Sequence, residues 1–317
     1  MVLRKIFYIL KPIIPRSLQI ILRRQLVRRK RKKFANVWPI LNSSAEVPNG
    51  WQGWPDGKKF AVVLTHDVEL QGGHNKCKEL MNIEKELGFV SSFNFVPERY
   101  DVSPSLRKLI KENGFEVGVH GLNHDGKLFQ NKKIFDERAE KINKYIKNWN
   151  AVGFRAPAMH HNLQWIHKLD IEYDLSTFDT DPFEPQSDGV GTIFPFVVKN
   201  KNKKDSYVEL PYTLVQDFTL FILMAEKDIK VWKDKIDWIV EKGGMVLVNV
   251  HPDYVNFRNK NTAEEFPVDL YIQLLIYVKE KYRHQYYNDL PKNIASFVKR
   301  SLNNSPEKYL TEVSKLQ

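Results

Sequence analysis

Four short stretches of this 317-residue chain carry residue types that can do chemistry together. FAVVLTHDVE at 60–69 ends in His66, Asp67 and Glu69, and EVGVHGLNH places His120 and His124 four residues apart. GFRAP presents Arg155, and LVNVHPD presents His251. A histidine pair at that spacing, in a glycine-bearing loop, can close on one metal ion. A carboxylate from the 67–69 segment completes a set of two histidines and one carboxylate with room for water, the arrangement of catalytic zinc. Arg155 beside a buried carboxylate would hold it ionised and oriented, and His251 suits a general acid at neutral pH. Taken singly, each group has a plainer structural reading: acids solvating a strand end, a surface cation, a packed rim histidine. The chemical reading comes from the set.

The elements around these residues are those that would bring them together. Phe60 to Leu64 is a continuous, β-branched apolar run that follows the turn-like Trp-Pro-Asp-Gly at 54–57, as expected of a parallel strand buried on both faces. The carboxyl end of such a strand is where α/β proteins keep reactive groups. Helix-like and strand-like segments then alternate. Helix 74–88 stops at Gly88, strand 89–96 follows, and helix 105–113 has Ser103 as its N-cap and Pro104 at its first position. Strand 115–120, helix 131–148, strand 151–154, helix 163–169 and strand 171–176 come next, then two strands near 193–198 and 207–215. Helix 230–242 leads into the apolar strand MVLVNV, and helices at 264–282 and 291–302 complete the body. Alternation of this kind predicts a parallel sheet or barrel with crossover helices.

A hydrophobic content of 42% with 12% aromatics is ample for a packed core, which places the chain among globular proteins. Residues 1–33 hold twelve Lys or Arg and no acid; taking these from the formal +11 leaves the body near −1, without the positive field that nucleic acid requires. Lys11, Pro12, Pro15 and Arg16 break the apolar runs of this segment below spanning length, and it lacks the layout of a signal peptide. Leu3, Ile6, Phe7 and Leu10, then Leu18, Ile21, Leu22 and Leu26, recur at helical spacing, so two short basic helices able to lie on an anionic membrane surface are expected. The alternatives are a solvated basic arm, or a helix packed on the body with its cations outward. Cys77 is the single cysteine, which excludes internal disulfides and cysteine-based zinc sites.

In their order along the chain, THDVE, HGLNH, RAP, the Asp-rich DLSTFDTD and VNVHP resemble the polysaccharide deacetylase family, the carbohydrate esterase group with the NodB homology domain, over about residues 58–255. The resemblance implies an irregular (β/α) barrel, here spanning 36–302, with a basic extension at 1–35 and a tail at 303–317. It implies a divalent metal, usually Zn2+ and alternatively Co2+, with His120 and His124 as ligands, Asp67 as general base, Arg155 holding that base and His251 as general acid. The family's usual first motif has two adjacent Asp residues, and here Val68 stands at the second place. A variant branch uses an acid one residue further on, so Glu69 becomes the third ligand; should it not reach, Asp67 itself would ligate. The family's acid that orients the acid histidine corresponds to Asp179 or Asp181, with Asp179 taken first.

The implied reaction removes N-acetyl groups from a hexosamine-containing polysaccharide or lipid-linked glycan. Phe178, Phe183, Tyr212 and Tyr254 would then stack on sugar rings, and His160 and His161 would line the groove, although core packing is the commoner fate of such aromatics. Wall-modifying members need export, so the lack of an export signal suggests a cytoplasmic body, peripheral on the inner membrane face. The rival readings are a ureide or amide hydrolase on the same fold, and a degenerate barrel that binds glycan or scaffolds a polysaccharide assembly system, for which Val68 is the best support. An amidohydrolase barrel would open with two histidines one residue apart, and 60–69 holds none.

Overall fold

The structure is a computed structural model that describes residues 16–200, 206–258 and 262–303. The expected first amphipathic helix, with Leu3 to Leu10, and nearly all of the 303–317 tail lie outside the described residues. In chain order the strands are β1 (Phe60–Val68), β2 (Ser91–Phe95), β3 (Glu116–His120), β4 (Gly153–Arg155), β5 (Tyr173–Asp174), β6 (Phe196–Lys199), β7 (Ser206–Glu209), β8 (Met245–Asn249), β9 (Val255–Asn256), β10 (Phe266–Pro267) and β11 (Tyr286–Asn288). Nine of them form one sheet in the order β11-β1-β2-β3-β4-β5-β7-β6, with β8 also on β1; only β6 and β7 pair antiparallel within it.

The sheet curls until its two ends meet at Thr213. The backbone N–H groups of Thr213 and Leu214 both donate to the Leu247 carbonyl of β8, and the Thr213 hydroxyl donates to the Met245 carbonyl. The result is the expected irregular (β/α) barrel, joined by Thr213 and Leu214 where a regular strand pair would stand.

β1 is the hub, buried along its whole length. Its residues Leu64–Val68 lie beside Ser91–Phe95 of β2, and Ala61–Thr65 beside Met245–Asn249 of β8. Side chains alternate across a strand, so Phe60, Val62 and Leu64 join the outer core under the helices while Ala61 and Val63 join the barrel interior. The same alternation sends Asp67 inward and His66 outward. His66 accordingly leaves the site: its Nδ1 bonds the Val250 carbonyl at 2.9 Å and its Nε2 meets Glu84 at 2.7 Å. Parallel pairing puts the carboxyl ends of β1, β2, β3, β4 and β8 at one pole, which is where the chemistry-bearing residues stand.

Local capping follows the sequence. Ser103 accepts from the Leu106 N–H at the start of helix Pro104–Glu112, and Asn131 does the same for Ile134 in helix Lys132–Trp149. Helix Gln71–Leu87 ends at Gly88 in the left-handed conformation. Strand β11 is not foreseen, because three residues between two helices are too few to show alternation. The expected strand at 207–215 stops at Glu209 and continues as irregular chain, touching Phe178 through a single bridge at Tyr212. Residues Phe218–Leu223 form a π-helical turn that nothing in the sequence marked.

Helix Arg16–Lys33 packs on this body, and the apolar residues expected to share one face point outward. Ile20 and Val27 are buried beneath it, whereas Leu18, Ile21, Leu22 and Leu26 are exposed. Cations point inward: Arg24 Nε donates to the Ile222 carbonyl, Lys30 Nζ to the Pro182 carbonyl, and Arg31 pairs with Glu226.

Candidate active site

Asp67 is fixed from three sides. Its Oδ1 accepts from Asn94 Nδ2 at 3.1 Å and Arg155 Nη1 at 3.2 Å, and its Oδ2 accepts from Asn249 Nδ2 at 2.9 Å. Arg155 is wholly buried and is itself held by the Leu175 carbonyl and the Thr65 hydroxyl, each at 2.9 Å. Burial pushes the Asp67 carboxyl up, but the Arg155 charge foremost, with that of His251 and the Asn94 hydrogen bond, outweighs it and holds the group below the usual carboxylate range. Asp67 is therefore a carboxylate at neutral pH.

Glu69, His120 and His124 converge, with donor atoms all within 4.8 Å of one another. His120 comes from the end of β3, and its Nδ1 donates to the Arg155 carbonyl at 3.1 Å, which leaves Nε2 as the lone pair facing the cluster. The chain then turns sharply. Gly121 sits at φ +62°, where a Cβ would come within 2.4 Å of Pro157, and His124 itself adopts φ +55°, a strained value for a residue with a side chain. That turn returns His124 Nε2 to 3.1 Å from Glu69 Oε1.

Burial raises the Glu69 carboxyl, and the His124 contact overrides it, leaving the group well below its ordinary value. Burial also lowers His120, to about 4, so its imidazole is neutral. The buried His124 Nε2 has no aligned hydrogen-bond partner. A neutral His120 imidazole, an ionised Glu69 carboxylate and a His124 nitrogen without an aligned partner make a donor set that fits a divalent cation.

Asp253 joins this segment to that of His251. Its carboxylate accepts from the backbone N–H groups of Glu69 (2.8 Å), Leu70 (3.1 Å) and Gly73 (3.0 Å), capping helix Gln71–Leu87 from across the sheet. Gly73 makes room for it, since a Cβ there would lie 2.3 Å from the Asp253 carboxylate. Tyr254 donates its hydroxyl to Glu69 Oε2 at 3.0 Å.

His251 faces the cluster, with Nε2 4.0 Å from Glu69 Oε1. Asp217 orients it: Oδ1 meets His251 Nδ1 at 2.6 Å while Oδ2 accepts the His251 backbone N–H at 2.8 Å. Burial lowers the imidazole, but the Asp217 charge and hydrogen bond win and raise it to about 10, so it is an imidazolium at neutral pH. This corrects the assignment of Asp179. Asp179 is buried against the Lys235 ammonium at 2.5 Å, and Asp181 accepts from Tyr212; neither touches His251.

Other expectations change as well. Phe178 and Tyr212 are core residues packed on each other at 5.3 Å, and Phe183 packs edge-on against Trp38. His161 is buried with Nδ1 on the Met159 carbonyl, while half-buried His160 stands in the surface hollow shared with His124 and Arg138. Sequence reasoning missed Asp217, Asn94, Asn249 and Asp253. Asn94 and Asn249 had a signal, being amides with apolar neighbours near the ends of the strands beside β1. Asp217 had a weaker one, an acid shortly past the 207–215 strand.

The architecture is that of the polysaccharide deacetylases, the NodB-type barrel. A polysaccharide deacetylase structure from Mycobacterium smegmatis, described as putative, superposes with a TM-score of 0.63 at 16% identity, covering 80% of this chain and 95% of that one. An allantoinase, PuuE, gives 0.61 at 13% identity over 80% and 94% of the two chains. A probable polysaccharide deacetylase from Pseudomonas aeruginosa PAO1 gives 0.57 at 12% identity over 78% and 93%. No family model and no curated protein matches the sequence.

Proposed function

We propose that the protein is a metal-dependent hydrolase that removes N-acetyl groups from a hexosamine-containing glycan. One observation carries this reading: a Glu69, His120 and His124 cluster is flanked by an ionised Asp67 and a protonated His251. Two titratable groups whose surroundings push them apart in this way define a base and an acid.

Glu69, His120 and His124 would hold the ion, which supplies Lewis-acid polarisation of the amide carbonyl and a lowered pKa for water. Asp67, immobilised by Asn94, Asn249 and Arg155, takes a proton from the attacking water. His251 Nε2 gives its proton to the departing nitrogen as the carbon–nitrogen bond breaks, because an amide anion is far too basic to leave. Acetate and a free amine result. Asp217 keeps the imidazolium in place before transfer and fixes the Nε2 lone pair for reprotonation afterwards.

Ureide hydrolysis on the same barrel is the second reading, favoured by the likeness to the allantoinase. Zinc-reconstituted protein should release acetate from an N-acetylated chitooligosaccharide and leave allantoin intact. Turnover of allantoin alone would replace the first reading by the second, and turnover of neither, with no zinc retained, would leave a glycan-binding barrel.

A further inference from the structure

Helix Arg16–Lys33 has an outer face that the other described residues leave bare. Among the described residues seven large apolar side chains are markedly exposed, and four of them, Leu18, Ile21, Leu22 and Leu26, stand on this helix at spacings of three and four. Residues so spaced share one face. Continuing that face toward the C-terminus brings Arg28, Arg29, Lys32 and Lys33, all exposed. The helix holds no acidic residue. The outer face therefore reads as an apolar patch running into a cationic one.

What holds the helix to the body is a different set: the buried Ile20 and Val27, with Arg24, Lys30 and Arg31 on the body's carbonyl and carboxylate oxygens. Long cationic side chains normally keep their heads in water. Spending three of them inward while four aliphatic side chains face out is costly for a helix surrounded by water, and sensible for one whose outer side meets hydrocarbon and headgroups.

Two aromatic rings link the helix to the candidate active site. Arg23 lies over the Phe218 ring at 4.9 Å, Phe218 packs on Tyr254 at 4.7 Å, and Tyr254 donates to the proposed ligand Glu69. No helix among the described residues is long and apolar enough to cross a membrane.

We propose that helix Arg16–Lys33 docks the protein on an anionic lipid bilayer, with Leu18, Ile21, Leu22 and Leu26 among the acyl chains and Arg28, Arg29, Lys32 and Lys33 on the headgroups. The active-site mouth then lies beside the bilayer, and its substrate is a glycan carried at that surface. Docking stands on the helix alone, while the substrate statement rests on the deacetylase reading.

The test is co-sedimentation of the full chain with vesicles of phosphatidylglycerol and phosphatidylcholine, against vesicles of phosphatidylcholine only. Binding should need the anionic lipid and weaken as salt rises. Replacing Leu18, Ile21, Leu22 and Leu26 together by Asp should abolish it with no change in the thermal midpoint. Each of Arg28→Gln, Arg29→Gln, Lys32→Gln and Lys33→Gln should weaken it about fivefold. Equal binding to both vesicle types, or full binding by the Asp variant, overturns docking. So does a wild-type dimer in gel filtration that the Asp variant dissociates, since a second copy then covers the face. For the substrate, acetate release from chitotetraose tethered to a vesicle lipid should exceed release from free chitotetraose, and the excess should vanish in the Asp variant. Vesicle binding without such an excess overturns the substrate statement alone, and binding with no acetate from either form overturns the deacetylase reading.

Discussion

Two groups of buried acids share this barrel and behave in opposite ways. Asp67 and Glu69 each face a cation or an imidazole, and both are held ionised. Near β5 and β7, Asp174 and Glu209 face each other with only hydroxyl and backbone donors: Ser176 on Asp174, Thr177 on Glu209. Burial first, then their proximity, pushes Glu209 up, and burial raises Asp174 too. At the amino end of β3, opposite His120, Glu116 is likewise raised by burial to about 7 despite bonds from Tyr173 and Lys292. A buried carboxylate is thus no mark of catalysis in itself. The mark is a counter-charge that keeps it ionised where water can reach.

Substitutions can test that contrast. The largest expected effect is Asp67→Asn, which should lower acetate release by about 10²–10⁴-fold with zinc content unchanged. Asp174→Asn should leave turnover within severalfold of wild type; equal losses for the two would erase the distinction. Next comes Arg155→Ala, which strands the Asp67 charge in the interior and should cost about 3–5 kcal/mol in urea unfolding. Glu209→Gln keeps the oxygen that accepts from Thr177 and leaves no buried charge unpaired, so it should cost less than Arg155→Ala in the same assay.

Asp217→Asn removes the charge that sustains the His251 imidazolium and should reduce kcat by about 10²-fold with little change in KM. Asp179→Asn, by contrast, should act on stability through Lys235 rather than on kcat. The smallest effect is on pH dependence. Glu116 titrates near 7 in the folded protein against an ordinary 4.5, so the unfolded chain gives up this proton first as pH rises. Its contribution to stability is complete below about 4.5 and falls away through 7. Glu116→Gln should remove on the order of 2 kcal/mol of that decline between pH 5 and 8, read by denaturant unfolding at both values.

The legible part of the sequence was the part where one run of residues set both element and site. FAVVL predicts a buried strand whatever surrounds it, and the polar residues closing that run, EVGVH and LVNVH stand at one pole because parallel strands must. Asp217 was hidden because it opens a π-helical turn and closes no strand, so its direction depends on packing that periodicity does not encode. The anchoring of helix Arg16–Lys33 on the body was hidden for another reason. Basic residues lie on both of its sides, and which cations find oxygens is decided by Pro182, Ile222 and Glu226, far along the chain.

The Asp253 clamp bears on how the molecule comes into being. Glu69 and the start of helix Gln71–Leu87 are tied down by a residue some 180 positions later, and β1 acquires its neighbours β8 and β11 only from the last quarter of the chain. A nascent polypeptide that has emerged only through residue 200 therefore exposes an unpaired apolar edge and a slack Glu69 loop. Glu69 is thus fixed in place only late in synthesis, and until then β1 offers an open strand edge of the kind that chaperones cover.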